Sequence, residues 1–372
     1  MCRCDISVYL PSVFESKLMV FVGDIAHPFF EPPPWGQIPW PWAPSQAMVA
    51  NFEGALVFQK KQNVTERRAL FNHVSVVDAL VDANVRIVSL ANNHIMDMPG
   101  SLADTCATLL SRGIAFAGAG GNLAEAATPA KAVEQDETWI FLAFGWETIR
   151  CKSATPTKEG VNPLNPAHVF ESIDKQRKSH PNAKTVVLMH WNYETELYPQ
   201  PAHRQLAMSV INAGADAVIG HHPHRVGGIE MHLGRPIVYS LGNWWVPQGV
   251  FWGGKLTFGD ETLLELAVEW TPDRDIVCHW FEYCRECQCL KHIGSEPFAR
   301  SERIQQLTPF AGMSHKKYTQ WFSDHRIKRR ALPIYRDYRH HFRNFLKDLY
   351  VDKRHSALML MESSGLRRLL KV

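Results

Sequence analysis

Short apolar runs alternate with amphipathic stretches between Leu18 and Trp245, and this alternation predicts a layered α/β fold. An apolar run that is bounded by polar or glycine residues is typical of a buried strand, and apolar positions three and four apart are typical of a helix. Predicted strands cover 18–22, 47–50, 85–90, 139–144, 185–189, 217–219 and 236–241. Predicted helices cover 76–84, 101–112, 169–178 and 205–213, and two antiparallel strands at 262–270 and 276–283 complete a second sheet.

A second kind of pattern marks the C-terminal part of the chain. The apolar residues recur there at spacings of three and four and predict one helical stripe, made of Ile334, Tyr338, Phe342, Phe345 and Leu349. Such a stripe is expected to pack on the main domain. The alternative is an amphipathic helix that lies on a membrane surface or on an acidic partner.

Side chains that can bind metal follow five of the predicted strands. They are Asp24, Asn51, Glu53, Asn93, His94, His190, His221, His222 and His224. Ligand sites of α/β sheets collect at the carboxyl ends of the strands, so these side chains are expected to meet in one groove. Imidazole is the commonest metal ligand among side chains, which favours a metal site over a loop of solvated histidines.

Composition and charge divide the chain into two parts. The hydrophobic content of 45% and the charged content of 21% are ordinary for a globular protein of 372 residues. The net charge of +3 conceals a basic segment, because residues 291–372 contain 18 Lys or Arg and 7 Asp or Glu. We therefore expect a main domain at 1–290 and a basic, mainly helical extension at 291–372. No motif indicates specific nucleic-acid recognition.

The N-terminus has no long apolar region, and no apolar run approaches the roughly 20 residues that span a bilayer. The cytoplasm is the expected location, and the eight cysteines are then expected to be thiols or ligands, not a disulfide framework. Cys284, Cys287, Cys289 and His292 could bind zinc, although their spacing is irregular for a structural zinc site. Idle cysteines at a domain edge are the alternative.

Several sequence words resemble one known family in their order along the chain. They are Gly23-Asp24, Asn51-Phe52-Glu53-Gly54, Ser89-Leu90-Ala91-Asn92-Asn93-His94, His190-Trp191 with Glu194, Gln205-Leu206-Ala207, Ala213-Gly214-Ala215-Asp216, Gly220-His221-His222-Pro223-His224 and Tyr239-Ser240-Leu241-Gly242-Asn243. Through them the chain resembles the CapA-type (poly-γ-glutamate capsule synthesis) family of the calcineurin-like metallophosphoesterase superfamily. The resemblance implies a four-layer α/β/β/α sandwich.

The resemblance also implies a metal site and a catalytic residue. The implied metal ligands are Asp24, Glu53, Asn93, His190, His222 and His224. They would hold one or two divalent ions, with Mn, Zn, Fe, Mg and Ca left open. His94 would be the general acid beside the metal. The candidate substrate contacts are Asn92, Glu194, His221, Arg225 and Asn243.

Two departures from the superfamily pattern leave the number of metals open. Superfamily members usually begin with Asp-x-His, whereas the first histidine after Asp24 is His27, and Glu53 stands where an aspartate is usual. One metal could therefore be weakly held or absent. His221 could also replace His222 as a ligand, because spacing alone does not decide between neighbours.

These features predict a metal-dependent enzyme that acts on a peptide, polyglutamate or phosphoester substrate. The metal would polarise a carbonyl or phosphoryl group, and His94 would transfer a proton. One alternative is a peptide epimerase, because a polarised carbonyl acidifies the adjacent C–H. The other is a non-catalytic assembly protein of exopolymer biosynthesis.

Overall fold

The computed structural model describes residues 18–58, 69–134, 137–247, 258–272, 274–327 and 332–363. The strands are β1 Met19–Ile25, β2 Ala47–Phe52, β3 Ala55–Val57, β4 Phe71–His73, β5 Val85–Ser89, β6 Ala115–Ala117, β7 Ala119–Gly120, β8 Ala130–Glu134, β9 Glu137–Gly145, β10 Gly160–Val161, β11 Lys184–His190, β12 Ala217–His221, β13 Ile229–His232, β14 Arg235–Val238, β15 Asn243–Trp245, β16 Leu264–Trp270, β17 Val277–Cys284 and β18 Cys289–Pro297. The α-helices are α1 Val76–Asp82, α2 Ser101–Ser111, α3 Leu123–Ala126, α4 Pro166–Ser179, α5 Pro201–Asn212, α6 Glu302–Leu307, α7 His315–His325 and α8 His341–Ser363.

The strands form two large sheets. The first has the order β18-β17-β16-β1-β2-β5-β6, with β15 paired to β1, and the second has the order β13-β14-β12-β11-β9-β8. The central pairs β1–β2, β2–β5, β9–β11 and β11–β12 are parallel. Strands buried on both faces read as continuous apolar runs, which explains why the sequence pattern located them.

The sheets pack face to face and are covered by helices on their outer sides. Trp139 of β9 and Trp270 of β16 meet edge to face with their ring centroids 6.1 Å apart, so the two sheets are in contact. The helices α1 and α2 pack on the first sheet, and α4 and α5 pack on the second. The four-layer α/β/β/α sandwich is thereby confirmed.

Most predicted elements are confirmed with small changes of boundary. The helix predicted at 205–213 begins earlier, at Pro201, because proline is favoured in the first turn of a helix. The glycines around 118–121 lie in and beside the short strand β7 before α3, and Asn122 caps that helix by accepting a hydrogen bond from the N–H of Glu125. The boundary predicted between residues 290 and 291 falls inside β18, so the first sheet continues to Pro297. The division into domains stays a prediction.

The prediction that the C-terminal apolar stripe is one face of a single helix is wrong. Helix α8 begins at His341, and Ile334 and Tyr338 precede it and pack on the core. Within α8, Phe342 and Phe345 are 73% and 60% exposed, so this part of the stripe does not pack on the main domain. Periodicity alone could not show where the helix begins. None of the described helices is long and apolar enough to cross a bilayer.

The cysteines near the end of the first sheet also differ from the zinc hypothesis. Cys287 and Cys289 form a disulfide in the turn between β17 and β18, and Cys284 is a free thiol. Two of the sulfurs that zinc would need are therefore bonded to each other. The expectation that the cysteines are all thiols or ligands is wrong for this pair.

Candidate metal centre

The carboxyl ends of the parallel strands bring the predicted metal-binding side chains together. Asp24 lies on β1, Glu53 directly follows β2, and His190 ends β11. His222 and His224 follow β12, which lies next to β11 in the second sheet. These five side chains are all buried, and the groove between the two sheets contains them.

Glu53 lies at the middle of this group. Its side chain is fully buried, and neither carboxylate oxygen has a hydrogen-bond partner among the described residues. The Nε2 atoms of His190 and His224 are each 3.8 Å from its Oε1. Burying a carboxylate without hydrogen bonds costs several kcal/mol of folding free energy unless a cation lies next to it. Removing the partner of a buried charge costs about 3–5 kcal/mol. The arrangement therefore fits a carboxylate that binds metal.

Two sets of ligand atoms share this carboxylate. Glu53, His190 and His222 form one set, and Asp24, Glu53 and His224 form the other. Within each set the ligand atoms lie within 4.8 Å of one another. Imidazole nitrogens and carboxylate oxygens suit zinc, iron or manganese, so the donors fit one or two divalent cations.

Asn93 joins the first set through His190. Its Oδ1 is 2.7 Å from the Nε2 of His190, and its side chain is partly exposed. An amide oxygen beside an imidazole nitrogen is a reasonable neutral ligand, so the predicted role of Asn93 stays a prediction that the geometry permits.

Asp24 and His224 are held in place by amide side chains. The Nδ2 of Asn51 donates to the Oδ1 of Asp24 at 2.8 Å. The Nδ1 of His224 is 3.3 Å from the Oδ2 of Asp24 and 2.9 Å from the Oδ1 of Asn243. Asn243 is 1% exposed and supports His224, and its role as a substrate contact stays a prediction. Such supporting bonds fix the orientation of a ligating imidazole.

The pKa values of the histidines in this group are shifted in opposite directions. Burial holds the pKa of His190 and of His222 well below the ordinary value, so both imidazoles are neutral, as metal ligands must be. Burial also acts against a charged His224, but the carboxylates of Glu53 and Asp24 outweigh it and raise its pKa to about 10. Burial raises the pKa of Glu53 to about 7.

His94 lies beside the two ligand sets. Its Nε2 is 4.0 Å from the Oε1 of Glu53, and its Nδ1 is 2.6 Å from the Oδ2 of Asp97. A carboxylate only accepts, so the Nδ1 of His94 donates to Asp97 and Nε2 faces the centre. Burial works to lower the pKa of His94, but the hydrogen bond and charge of Asp97 outweigh it, so the pKa lies above the ordinary value.

Two predicted substrate contacts, His221 and Asn92, are buried and hydrogen-bonded to the backbone. The Nε2 of His221 is 3.3 Å from the backbone oxygen of Val22, between the sheets, so His222 and not His221 is with the ligands. Asn92 is fully buried, and its amide bonds the backbone of Phe52 and Gly54. Both side chains support the backbone around the centre, and their roles as substrate contacts stay predictions.

His27 does not replace the missing second histidine of the usual motif. The indole Nε1 of Trp245 donates to its Nδ1 at 3.0 Å, and its Nε2 is 2.6 Å from the backbone oxygen of Glu31. The position where the motif places its histidine is Ala26, which is buried in an apolar cluster. The second set of ligand atoms therefore has one imidazole fewer than the superfamily pattern.

Two predicted contacts do lie on the rim. Glu194 is exposed, and Arg225 is half-buried with its Nη1 3.5 Å from the backbone oxygen of Thr195. The Nε of Arg225 is buried and has no hydrogen-bond partner within the described part of the chain. A guanidinium is suited to an anionic group, although this Nε is enclosed and does not itself reach solvent.

The loops that present the histidines have unusual backbone angles. His222 and His224 have φ values of 98° and 57°, and Asn192 and Thr195 have values of 68° and 57°. The N–H of Thr195 donates to the backbone oxygen of Pro223 at 2.9 Å, which joins the two loops. Left-handed residues other than glycine cost of order 1–3 kcal/mol each and cluster at functional sites.

Sequence reasoning missed two supporting residues. Asp97 orients His94 and lies three residues after it, a spacing that could have indicated the pair. Asn72 donates to the backbone oxygens of Glu53 and Gly54 at 2.9 and 3.2 Å. It follows a segment with no apolar periodicity, so no sequence signal points to it.

The C-terminal segment braces the loop that follows His190. The hydroxyl of Tyr193 donates to the backbone oxygen of Pro333 at 3.2 Å. The N–H of Ala202 donates to the backbone oxygen of Tyr335, and the N–H of Tyr335 donates to the Oε1 of Gln200. The segment with Pro333 and Tyr335 therefore holds the residues that follow His190 in place.

An aromatic group behind His190 contains the neutral histidine His203. It is 5% exposed and stacks on Trp191 with 5.2 Å between ring centroids, and burial lowers its pKa to about 3. The unfolded chain binds this proton below pH 6.5 and the folded chain does not, so stability is lost as the pH falls from 6.5 towards 3. At pH 5 we expect this histidine to account for a loss of about 2 kcal/mol.

Replacing His203 with Phe keeps the stacking and removes the titration. Urea unfolding at pH 7.5 and at pH 5 should show a smaller acid loss in H203F than in the wild type. The same exchange at the exposed His340 should leave the acid loss unchanged. Equal acid losses in H203F and the wild type would contradict the assignment.

Sequence comparisons find relatives over the part of the chain that contains the candidate centre. The family model "Bacterial capsule synthesis protein PGA_cap" matches residues 24–248. The "PGA biosynthesis protein CapA" of Bacillus subtilis (strain 168) is 32% identical over 210 residues, which are 55% of this chain and 54% of that protein. The "Capsule biosynthesis protein CapA" of Bacillus anthracis is 30% identical over 215 residues, 55% of this chain and 51% of that protein. The chain thus spans about half the length of these curated relatives.

Among solved structures, a 5'-nucleotidase precursor from Thermus thermophilus aligns with a TM-score of 0.35 at 14% identity, over 75% of this chain and 54% of that one. The family match includes all six predicted ligands and extends over more than half of the 372 residues. The chain therefore belongs to the family of bacterial capsule synthesis proteins of the PGA_cap type.

Proposed function

We propose that the chain is a metal-dependent hydrolase of capsule or peptide-polymer metabolism. Its substrate would be a polyglutamate, another peptide or a phosphoester. The observation that supports this most is the carboxylate of Glu53, which lies between two sets of ligand atoms and is buried without hydrogen bonds from the described residues. His94 adds a group that can transfer a proton at 4.0 Å from the same carboxylate.

The metal, His94 and Arg225 would each have a separate role in the reaction. Bound divalent ions would polarise a phosphoryl or carbonyl group and activate a water molecule. Asp97 holds the Nδ1 of His94, so that the Nε2 of His94 can give a proton to the leaving group. Arg225 on the rim is half-buried, and its guanidinium would be the partner of a carboxylate or phosphate of the substrate.

The polyglutamate form of the proposal rests on the relatives. The names of two of them refer to PGA or capsule biosynthesis. A polymer with many carboxylates would have an anionic group for Arg225 at every residue. The exposed carboxylate of Glu194 lies on the same rim and would repel a second carboxylate of the polymer. We therefore expect one carboxylate of the polymer to bind beside Arg225.

The alternatives have less support. An epimerase would need two proton-transferring groups on opposite sides of one carbon. The described residues offer His94 alone, because the other imidazoles of the groove are assigned to the metal or to structural contacts. A non-catalytic assembly role remains the alternative if no turnover is found. Binding of a membrane or an acidic partner by the basic C-terminal helix stays a prediction.

The variant H94Q tests the proposal. Metal content is first measured by mass spectrometry, and hydrolysis of aryl phosphodiesters and γ-glutamyl oligomers is then assayed with Mn, Zn and Fe. We expect H94Q to lower turnover on the order of 10²–10⁴-fold with unchanged metal content, because general acid catalysis contributes about that much. The exposed His340 gives the matched control, H340Q, which should be as active as the wild type. Turnover in H94Q at the wild-type rate, or metal-loaded protein without turnover, would refute the proposal.

A further inference from the structure

A second group of reactive side chains lies on the first sheet, away from the metal ligands. Glu269 of β16, His279 of β17 and Ser295 of β18 form a row across three neighbouring strands. The Nε2 of His279 is 3.0 Å from the Oε2 of Glu269, and its Nδ1 is 2.7 Å from the Oγ of Ser295. We propose that Glu269, His279 and Ser295 form a second reactive site, in which Ser295 is a nucleophile that accepts acyl groups from carboxylic esters.

The protonation pattern of the row follows from its donors and acceptors. The hydrogen bond from His279 lowers the pKa of Glu269, so Glu269 is an ionised acceptor and the Nε2 of His279 carries the proton. With the proton on Nε2, the Nδ1 of His279 has a lone pair, which accepts the hydrogen bond from the hydroxyl of Ser295. The acid, base and nucleophile follow one another as in serine hydrolases, but the two ring nitrogens of the base are exchanged.

The base, His279, is buried, whereas the nucleophile, Ser295, is exposed to solvent. His279 is 3% exposed, and the ring of Trp42 packs against it with 5.3 Å between centroids. Ser295 is exposed on β18, which is the edge strand of the sheet. A buried imidazole that is held on both nitrogens has one orientation, and an exposed hydroxyl can be reached by a substrate.

A β-bulge brings a second histidine, His292, within hydrogen-bond distance of Ser295. Trp280 pairs with Gly294 and Phe281 pairs with His292, so Ile293 is an extra residue in β18. Residues three apart normally face opposite sides of a strand, but the extra residue brings His292 and Ser295 to the same side. The Nε2 of His292 is 2.8 Å from the Oγ of Ser295 and can donate to it.

The bulge also leaves room beside the serine. Gly294 has φ +150°, and a Cβ built on it would meet no atom of the described residues within 4 Å. An acyl group can therefore approach Ser295 from the side of Gly294. Because the row lies on a sheet edge and not in a deep cavity, we expect small esters with a good leaving group to be the substrates.

The reaction is balanced without any further reagent. The Oγ of Ser295 bonds to the ester carbon, its proton passes to the Nδ1 of His279, and the bond to the alcohol breaks as the alcohol takes that proton. Water then attacks the acyl-serine, its proton passes through His279, and Ser295 regains its hydroxyl. One ester and one water give one acid and one alcohol.

The test uses the full chain in EDTA, so that the metal centre makes no contribution. A fluorescent alkyl fluorophosphonate should label Ser295, forming the Oγ–P bond with release of fluoride, and p-nitrophenyl acetate should be hydrolysed. S295A should lose both, and E269Q should lower both rates at least about tenfold. The matched control is S111A, because Ser111 is exposed and its hydroxyl donates to the backbone oxygen of Thr108 within its own helix.

Each result decides for or against the second site. Labelling of Ser295 that is lost in S295A, together with loss of ester hydrolysis, supports the site. Absence of labelling in the wild type, or unchanged labelling or hydrolysis in S295A, overturns it. Failure of the metal-dependent hydrolase proposal would leave this result unaffected, since all measurements are made in the chelator. The test needs no variant of the buried His279, so it does not depend on a substitution in the core.

Discussion

Replacing Glu53 with Gln is expected to abolish tight metal binding while leaving the fold intact. The carboxylate is shared by both sets of ligand atoms, so its loss removes a charged ligand from each. Removing one partner of a buried charge pair costs about 3–5 kcal/mol, which corresponds to an increase in the metal Kd of about 10²–10³-fold or more. Titration calorimetry of the chelator-treated protein with Mn²⁺ or Zn²⁺ measures the change.

The same variant should change the stability of the metal-free protein in the opposite direction. Both oxygens of Glu53 are fully buried and lack hydrogen bonds from the described residues, and His224 keeps Asp24 as its charged partner, so an uncharged amide is cheaper to bury there. We expect E53Q to raise the free energy of unfolding in EDTA by about 1–3 kcal/mol. E171Q, at an exposed position of α4, is the matched control and should alter neither quantity. Wild-type metal affinity in E53Q would mean that Glu53 is not a ligand.

Replacing Gly23 with Ala should destabilise the protein strongly. A Cβ on Gly23 would clash with the backbone oxygen of Gly242, so β1 and β15 could not keep their spacing. The cost should be about 4 kcal/mol or more, because a backbone clash in the core cannot be relieved by a side-chain movement. Asp24 follows directly and pairs with Asn243, so metal affinity should fall as well.

Gly36 gives the matched control for this substitution. A Cβ there would meet no atom of the described residues within 4 Å, and the residue is exposed. G36A should therefore change the free energy of unfolding by less than about 1 kcal/mol. Urea unfolding of both variants tests the comparison, and equal stabilities would show that β1 can move away from β15 without loss.

The sequence located the strands well because their burial on both faces leaves continuous apolar runs. It also located the polar residues that follow them, including Asp24 and Glu53. It could not choose between His221 and His222, because the choice depends on the left-handed turn at His222 and not on spacing. It could not give the beginning of α8 either, since Tyr338 continues the apolar spacing although it precedes the helix.

Contacts between distant residues were also beyond the sequence. The row of Glu269, His279 and Ser295 depends on the pairing of three strands and on a bulge that no local pattern announces. The disulfide of Cys287 and Cys289 depends on the geometry of a turn. Fold and groove could thus be predicted from local patterns, whereas the orientation of each side chain depends on its tertiary neighbours.

The contacts of Pro333 and Tyr335 with the residues after His190 form late in the synthesis of the chain. Synthesis proceeds from the N-terminus, and domains fold as their residues emerge from the ribosome. Tyr193 and its partner Pro333 are 140 residues apart, and Gln200 and Tyr335 are 135 apart. The histidines of the groove are therefore translated long before the segment that fixes their neighbouring loop. A nascent chain that has not yet reached Pro333 and Tyr335 already contains every strand of both sheets, but the loop after His190 still lacks these contacts.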